Sequence, residues 1–288
     1  MYAITGVTGK VGGAMAHTLL ANHRSVRAVV RDADKGRAWA ELGCEVAIAQ
    51  MEDASALTAA FKGAEGVFIL PPSEFDPAPG FPEALAVIKA VKAALEVAAP
   101  RKVVCLSTVG AQAKQTNLLT QRTLMELALS QLDMPVTFLR PGWFMENFRW
   151  DVPSAREAGV IASFLQPADK PVPMIATADV GRIAAELIQE GWTGRRIVEL
   201  EYERRISPNE VAATFAEILG RSVHVEEVPR GSWAELFKSQ GMKDPLPRIR
   251  MLDGFNEGWI EFEGGEGTSI KGKVCLGTVL KDLIDATP

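Results

Sequence analysis

The sequence predicts an α/β fold: a parallel, doubly wound sheet with a smaller α/β cap formed by its carboxy-terminal part. Three observations carry this. Six short apolar runs, each bounded by turn residues, alternate with helical stretches through the first half; such runs suit strands covered on both faces. Spaced glycines stand between the first run and the first helix. The alternating rhythm changes after about residue 150. Strand–helix alternation at this spacing implies right-handed crossovers and hence a Rossmann-like sheet.

In order, the predicted strands are YAIT (2–5), VRAVVR (26–31), EVAIA (45–49), GVFIL (66–70), KVVCLS (102–107) and VTFLR (136–140). The intervening helices are expected at 10–23, 34–43, 54–61, 81–98 and 117–132. PPSEFDPAPGFP (71–82) is too rich in proline for a helix. It reads as a long loop leaving the fourth strand on the side where such sheets bind ligands. A helix near 178–190 and the strand RIVEL (196–200) are expected to return to the sheet. Ser207-Pro208-Asn209-Glu210 reads as a capping box with proline at the first helical position, opening a helix that ends at Gly220. The strand VHVEEV (223–228) and helix 232–240 follow, then DGFNEGWIEFEGGEG (253–267), rich in glycine and aromatics, and a closing helix at 278–285. The expected division is a nucleotide-binding unit over 1–152, rejoined by 177–202, and a smaller substrate or cap region over 153–288.

Composition removes several function classes. The chain has 288 residues, 47% hydrophobic and 23% charged, ordinary values for a globular protein. Its 31 Lys+Arg against 36 Asp+Glu give a net charge of −5, with no long basic run, so no nucleic-acid partner is expected. Three cysteines (Cys44, Cys105, Cys275) without a CxxC pair, and three scattered histidines (His17, His23, His224), predict neither a disulfide framework nor a metal site. Cys44 and Cys105 read as packing thiols without an activating base, and His224 as an exposed or structurally bonded residue. No apolar run reaches the ~20 residues of a membrane span. The amino terminus lacks a basic region and cleavage site, so the expected location is the cytoplasm.

TGVTGKVGG (5–13) places Gly6, Gly9 and Gly12 directly between the first strand and first helix. Gly6 permits a tight turn, Gly9 lets the backbone approach a pyrophosphate, and Gly12 permits close packing of the helix. The helix N-terminus supplies free N–H groups and a positive dipole end for phosphates. With Thr8, Lys10 and Val11, these residues form the expected dinucleotide site; the plain alternative is a glycine-rich turn with no ligand. An NAD-selective site usually carries an acid at the end of the second strand. Here Arg31 stands there, with Lys35 one turn on. These cations suit a 2′-phosphate, so NADP(H) is favoured over NAD(H). Asp32, next door, has the alternative of facing the ribose, and Arg31 and Lys35 that of a solvated surface pair.

A Tyr-Lys acid pair, four residues apart, is missing. Tyr2 lies in the first strand, and Tyr202 has Ile206 at the fourth position. Alcohol–ketone chemistry needs an acid near the very basic alkoxide. A reduced quinone is a phenol-like anion that water protonates, with a pKa near ~10. The absence therefore points to quinone-like or azo-like acceptors, or to no catalysis, and no catalytic residue is assigned.

The GVTGKVGG loop, Arg31, LSTVGA (106–111) and LRPGWFMENF (139–148) together resemble the NmrA-like family of atypical short-chain dehydrogenases/reductases. The resemblance spans almost the whole chain, including DGFNEGWIEF and the final TVLKDLI. RPGWFMEN is its more specific pointer. The family includes type 2 NAD(P)H:quinone oxidoreductases, NAD(P)H azoreductases and ligand-sensing regulators without evident turnover. Many relatives carry K-x-x-x-E in the helix before that segment; here Arg122 and Glu126 hold those places. Arginine holds a ribose hydroxyl or a phosphate but donates no proton at neutral pH.

Further candidates come from strand ends, where doubly wound sheets bind ligands. Gln50 and Met51 follow the third strand, where an adenine would lie. Leu70, Pro71 and Pro72 follow the fourth, Ser107 and Thr108 the fifth, and Pro141 the sixth. Ser107 has two readings: a hydrogen-bonding partner for a carbonyl or the nicotinamide amide, or a turn-capping hydroxyl. Trp143, Phe144 and Met145 either wall a flat acceptor or pack in the core, with Phe144 the first choice for the wall. Asn147 bonds either the cap or the substrate. The expected function is an NADPH-binding oxidoreductase that passes hydride to a flat, conjugated acceptor such as a quinone or azo compound. The alternative is a non-catalytic NADP(H)-sensing regulator with a protein partner.

Overall fold

The structure, a computed structural model, describes every residue except Glu266 and Pro288. Glu266, within the glycine- and aromatic-rich stretch, therefore lies outside the described residues.

Six strands build the first part of one sheet: β1 (Tyr2–Thr5), β2 (Val26–Val30), β3 (Glu45–Ile48), β4 (Gly66–Ile69), β5 (Lys102–Leu106) and β6 (Val136–Pro141). Five helices alternate with them: α1 (Lys10–Ala21), α2 (Ala33–Glu41), α3 (Ala54–Phe61), α4 (Pro82–Ala98) and α5 (Thr120–Leu129). The predicted alternation holds in every member. Helix α5 is shorter than expected, because residues 117–119 form a turn in which Asn117 Oδ1 accepts the Leu119 N–H.

After β6 the chain forms β7 (Trp143–Phe144), a 3-10 turn (Met145–Trp150), α6 (Val152–Glu157), β8 (Val160–Ser163), β9 (Met174–Ile175) and α7 (Thr177–Gln189). Strand β10 (Arg195–Tyr202) rejoins the sheet. Then follow α8 (Pro208–Leu219), β11 (His224–Glu227), α9 (Trp233–Ser239), α10 (Leu246–Glu257), β12 (Ile270–Gly272) and α11 (Leu276–Ala286). The capping box of α8 is present, and Gly220 ends that helix with φ +64°.

The eight-stranded sheet runs β12-β10-β6-β5-β4-β1-β2-β3, and all its neighbours are parallel. The order 3-2-1-4-5-6 within it is the dinucleotide-binding order. Parallel pairing brings every strand's carboxyl end to one edge, which is where the candidate residues sit.

Two apolar cores cover the faces of this half. One joins Ile4, Met15, Leu19, Phe68 and Val104 to α7 through Val180, Ile183 and Ile188. The other joins Leu57, Phe61, Leu95, Val103 and Met125. Helices α1 and α7 touch backbone to backbone: a Cβ on Gly181 would lie 2.5 Å from the Val11 carbonyl oxygen. A third core, with Phe148, Val152, Phe215, Phe255 and Leu280, holds the cap together.

Several elements were not expected from the sequence: β7, α6 and β9 follow β6, helix α10 runs into the first third of the stretch read as glycine-rich tail, β12 adds an edge strand to the main sheet, and β8 pairs with β11 in a small separate sheet.

Candidate active site

Gly6 turns the chain sharply after β1 with φ +65°, a region glycine enters without strain. Gly9 is the N-cap of α1 and offers no side-chain bond, and the helix has no acidic residue in its first turn. Among the described residues no side chain claims the first N–H groups of α1. Thr8, Gly9 and Lys10 are exposed, while Val11 and Gly12 are buried. A Cβ on Gly12 would meet the Gly6 carbonyl oxygen at 2.3 Å, so only glycine lets α1 begin this close to the turn. A bare, dipole-positive helix end behind a cradle that side chains would fill fits a pyrophosphate.

Arg31 follows β2 and is exposed. Its carbonyl accepts from Gln50 Nε2 at 3.2 Å, which draws the ends of β2 and β3 together. Asp32 caps α2: its Oδ1 accepts the Lys35 N–H at 2.9 Å, and its Oδ2 lies 3.9 Å from Lys35 Nζ. One oxygen of the carboxylate thus caps the helix, and the side chain stays half-exposed. Among the described residues, no ion pair engages the Arg31 guanidinium.

Leu70 lies against Gly6, with its Cβ 3.0 Å from where a Gly6 Cβ would stand. Pro71 is buried and Pro72 exposed. Arg122 on α5 fastens this segment: its guanidinium donates to Pro71 O at 3.0 Å, Pro72 O at 3.2 Å and Ser73 Oγ at 2.7 Å. Burial lowers this guanidinium to about 10, so it stays cationic at neutral pH. Among the described residues no carboxylate pairs with it. The rest of the Pro-rich loop is tied on both sides. Gln121 exchanges bonds with Glu74, and Asp76 accepts the N–H groups of Lys243 and Asp244 from the cap. Those two backbone bonds hold the Asp76 carboxyl below its ordinary range.

Ser107 is 6% exposed and Glu126 8% exposed. The Ser107 hydroxyl donates to Glu126 Oε1. Arg140, 3% exposed, donates to both oxygens of the same carboxylate, at 2.9 and 2.6 Å. Its remaining Nη1 bonds Glu263 Oε2 at 2.8 Å and Gln112 Oε1 at 3.1 Å. Burial pulls this guanidinium down, but its bonds and charges from Glu126 and Glu263 more than offset that and hold it above its ordinary value. Ser107 is expected here from its place after β5, whereas its bond to Glu126 and that carboxylate's bonds to Arg140 are not. Cys105, beneath it, is fully buried, and burial pushes its thiol up to about 12, a packing thiol as expected. Cys44 is likewise buried, and His224 exposed.

Pro141 closes β6 in the sheet, and the next residues part company. Trp143 and Phe144 pair with Met174 and Ile175 as a parallel two-residue ladder. Alternation along this ladder sends neighbours to opposite sides. Trp143 packs on the cap, edge-on to Phe255 with centroids 5.4 Å apart. Phe144 packs, partly buried, against the nucleotide-half core that Leu70 also borders. Met145 is fully buried in the cap. Glu146 accepts the Thr177 N–H and hydroxyl at the start of α7, and Asn147 is exposed. Tyr2 is buried in β1, where desolvation raises its phenol, and Tyr202 ends β10. Among the described residues no group of three metal-ligating side chains occurs, and no helix is long and apolar enough to cross a membrane.

Comparison with known proteins agrees with this architecture. The model of the NmrA-like family matches residues 2–252. Quinone oxidoreductase 2 of Escherichia coli (strain K12) is 28% identical over 248 residues, covering 85% of this chain and 84% of that protein. The NAD(P)H azoreductase of Xenophilus azovorans is 24% identical over 249 residues, covering 85% and 83%. Among solved structures, the NADPH-dependent quinone oxidoreductase from Escherichia coli complexed with NADPH superposes with a TM-score of 0.82 at 24% identity, covering 98% of this chain and 99% of that one. The triphenylmethane reductase of Citrobacter sp. superposes with a TM-score of 0.82 at 20% identity, covering 99% of both. These superpositions establish the fold.

Proposed function

The chain belongs to the NmrA-like family, and from that premise we propose that it is an NADPH-dependent oxidoreductase acting on a flat, conjugated acceptor such as a quinone or azo compound. The observation that carries the reading is the uncapped start of α1 behind Gly6, Gly9 and Gly12, a phosphate cradle at the carboxyl edge of a parallel sheet. The activities named for the quinone oxidoreductase and azoreductase relatives support the acceptor class.

When bound, the dinucleotide would supply the hydride. The chain's own groups bind and orient. The glycine turn and the α1 N-terminus hold the pyrophosphate, with Thr8, Lys10 and Val11 in the same loop. Arg31 and Lys35 meet a 2′-phosphate, with Gln50 bracing the Arg31 backbone, and this favours NADPH over NADH. Leu70, Pro71, Pro72, Ser107 and Pro141 border the path to the acceptor, whose wall is built from Phe144, Trp143 and Asn147. Arg122 fixes the 71–73 segment and contributes positive charge beside the site. That charge favours an acceptor that becomes anionic on reduction.

Neither tyrosine has a lysine four residues on, so catalysis rests on positioning and water exclusion. The competing reading, a sensor that binds NADP(H) without turnover, rests on the same missing acid. The test is cofactor consumption with a panel of quinones and azo dyes: steady turnover supports the enzyme, and binding without turnover supports the sensor.

A further inference from the structure

From the Ser107–Glu126–Arg140 network we infer that Ser107 is a positioning residue of fixed polarity, a hydrogen-bond acceptor that recognises the carboxamide N–H of a nicotinamide rather than a donor to the acceptor's carbonyl. The inference rests on the dinucleotide reading above.

A serine hydroxyl has one proton and two lone pairs, and its rotor ordinarily turns to suit the ligand. Here it does not. Glu126 takes two N–H bonds from Arg140, one on each oxygen, and has no proton to give. The Ser107 proton must therefore point at Glu126. Arg140 is itself held from its other side by Glu263 and Gln112, so the carboxylate cannot swing away. What remains on Ser107 Oγ is acceptor capacity, and among the described residues nothing donates to it. A buried oxygen with an unused lone pair at the carboxyl end of β5 suits an N–H donor. It repels a carbonyl oxygen, which offers only lone pairs of its own.

This settles between the two ligands open to a serine at that place. A quinone carbonyl needs a donor, and turning the hydroxyl toward it would strip Glu126 of a buried hydrogen bond. The carboxamide of a nicotinamide carries an NH₂ that donates without disturbing the network. Ser107 thus acts on the orientation of the ring, and takes no part in protonating the reduced acceptor.

The test is a ligand–residue cycle read by binding, using three probes: NADPH, its 3-acetylpyridine analogue, in which a methyl ketone replaces the carboxamide, and 2′-phospho-ADP-ribose, which lacks the ring altogether. The parent protein should bind NADPH roughly three- to tenfold more tightly than the acetyl analogue, the size of one neutral hydrogen bond. In Ser107→Ala that ratio should fall to about one, while 2′-phospho-ADP-ribose binds as before. Should Ser107→Ala fail to fold, Ser107→Cys, close in volume and a poor acceptor, carries the same comparison. A ratio unchanged in the variant, or equal loss for all three probes, overturns the inference. Failure of the parent to bind any of the probes overturns instead the dinucleotide reading on which it rests.

Discussion

A Cβ on Gly12 would stand 2.3 Å from the carbonyl oxygen of Gly6, closer than any carbon tolerates. The obstacle is backbone on both sides, so neither a rotamer change nor a flexible side chain relieves it. Gly12→Ala must push α1 away from the turn that follows β1. The expected outcome is at least a tenfold loss of NADPH affinity, together with a lower melting temperature from a strained helix start. Unchanged affinity in calorimetric titration would show that the cradle is not the phosphate site.

Arg31 is exposed at the end of β2, and under the proposed reading its guanidinium meets the 2′-phosphate while Asp32 caps α2. Replacing Arg31 with Ala should weaken NADPH by one to two orders of magnitude, at ~1.4 kcal/mol per tenfold, and leave NADH nearly untouched. Parallel titrations of the two cofactors check this; equal losses would remove Arg31 from the phosphate site.

Phe144 and Trp143 are neighbours that pack on different lobes, Phe144 on the nucleotide half and Trp143 on the cap. Phe144→Ala should therefore damage acceptor kinetics while leaving NADPH affinity within a few-fold. Melting temperature, cofactor affinity and acceptor kinetics measured on this one variant separate the roles. A lower melting temperature with intact kinetics would make Phe144 a joint between lobes and nothing more.

The nucleotide half was legible because its signals are local. Strand periodicity and the glycine spacing lie within a few positions of the elements they mark. The cap was harder to read. Helix α10 has a weak apolar stripe and holds Gly254 mid-helix, tolerated because Ile260 and Trp259 pack into the space where its side chain would stand. Strand β12 is three residues long and exists because β10 offers it an edge. The network around Ser107 was out of reach for a similar reason. Arg140 and Glu263 are 123 positions apart, and no spacing rule joins them. An arginine inside the apolar β6 is the one hint the sequence holds, since a buried guanidinium requires acidic partners.

Asp151 opens α6 without capping it, and burial pushes its carboxyl up to about 7. The unfolded chain titrates this group near ~4. Between those values the folded form binds more protons, so stability falls as pH rises from about 4 to about 7 and stays reduced above. Asp151→Asn should melt a few degrees higher than the parent at pH ~8, with the difference vanishing toward pH ~4. Identical melting curves across that range would contradict the assignment.

Under the proposed reading, this chain transfers reducing equivalents from NADPH to a conjugated acceptor without a tyrosine acid. The most direct measurement follows NADPH absorbance with a panel of quinones and azo dyes, for the parent protein and for a Tyr2→Phe, Tyr202→Phe double variant. Steady consumption with at least one acceptor is expected, retained within a few-fold in the double variant. Tight NADPH binding with no consumption across the panel, or a loss of ~10²–10⁴ in the double variant, the usual contribution of a general acid, would contradict it.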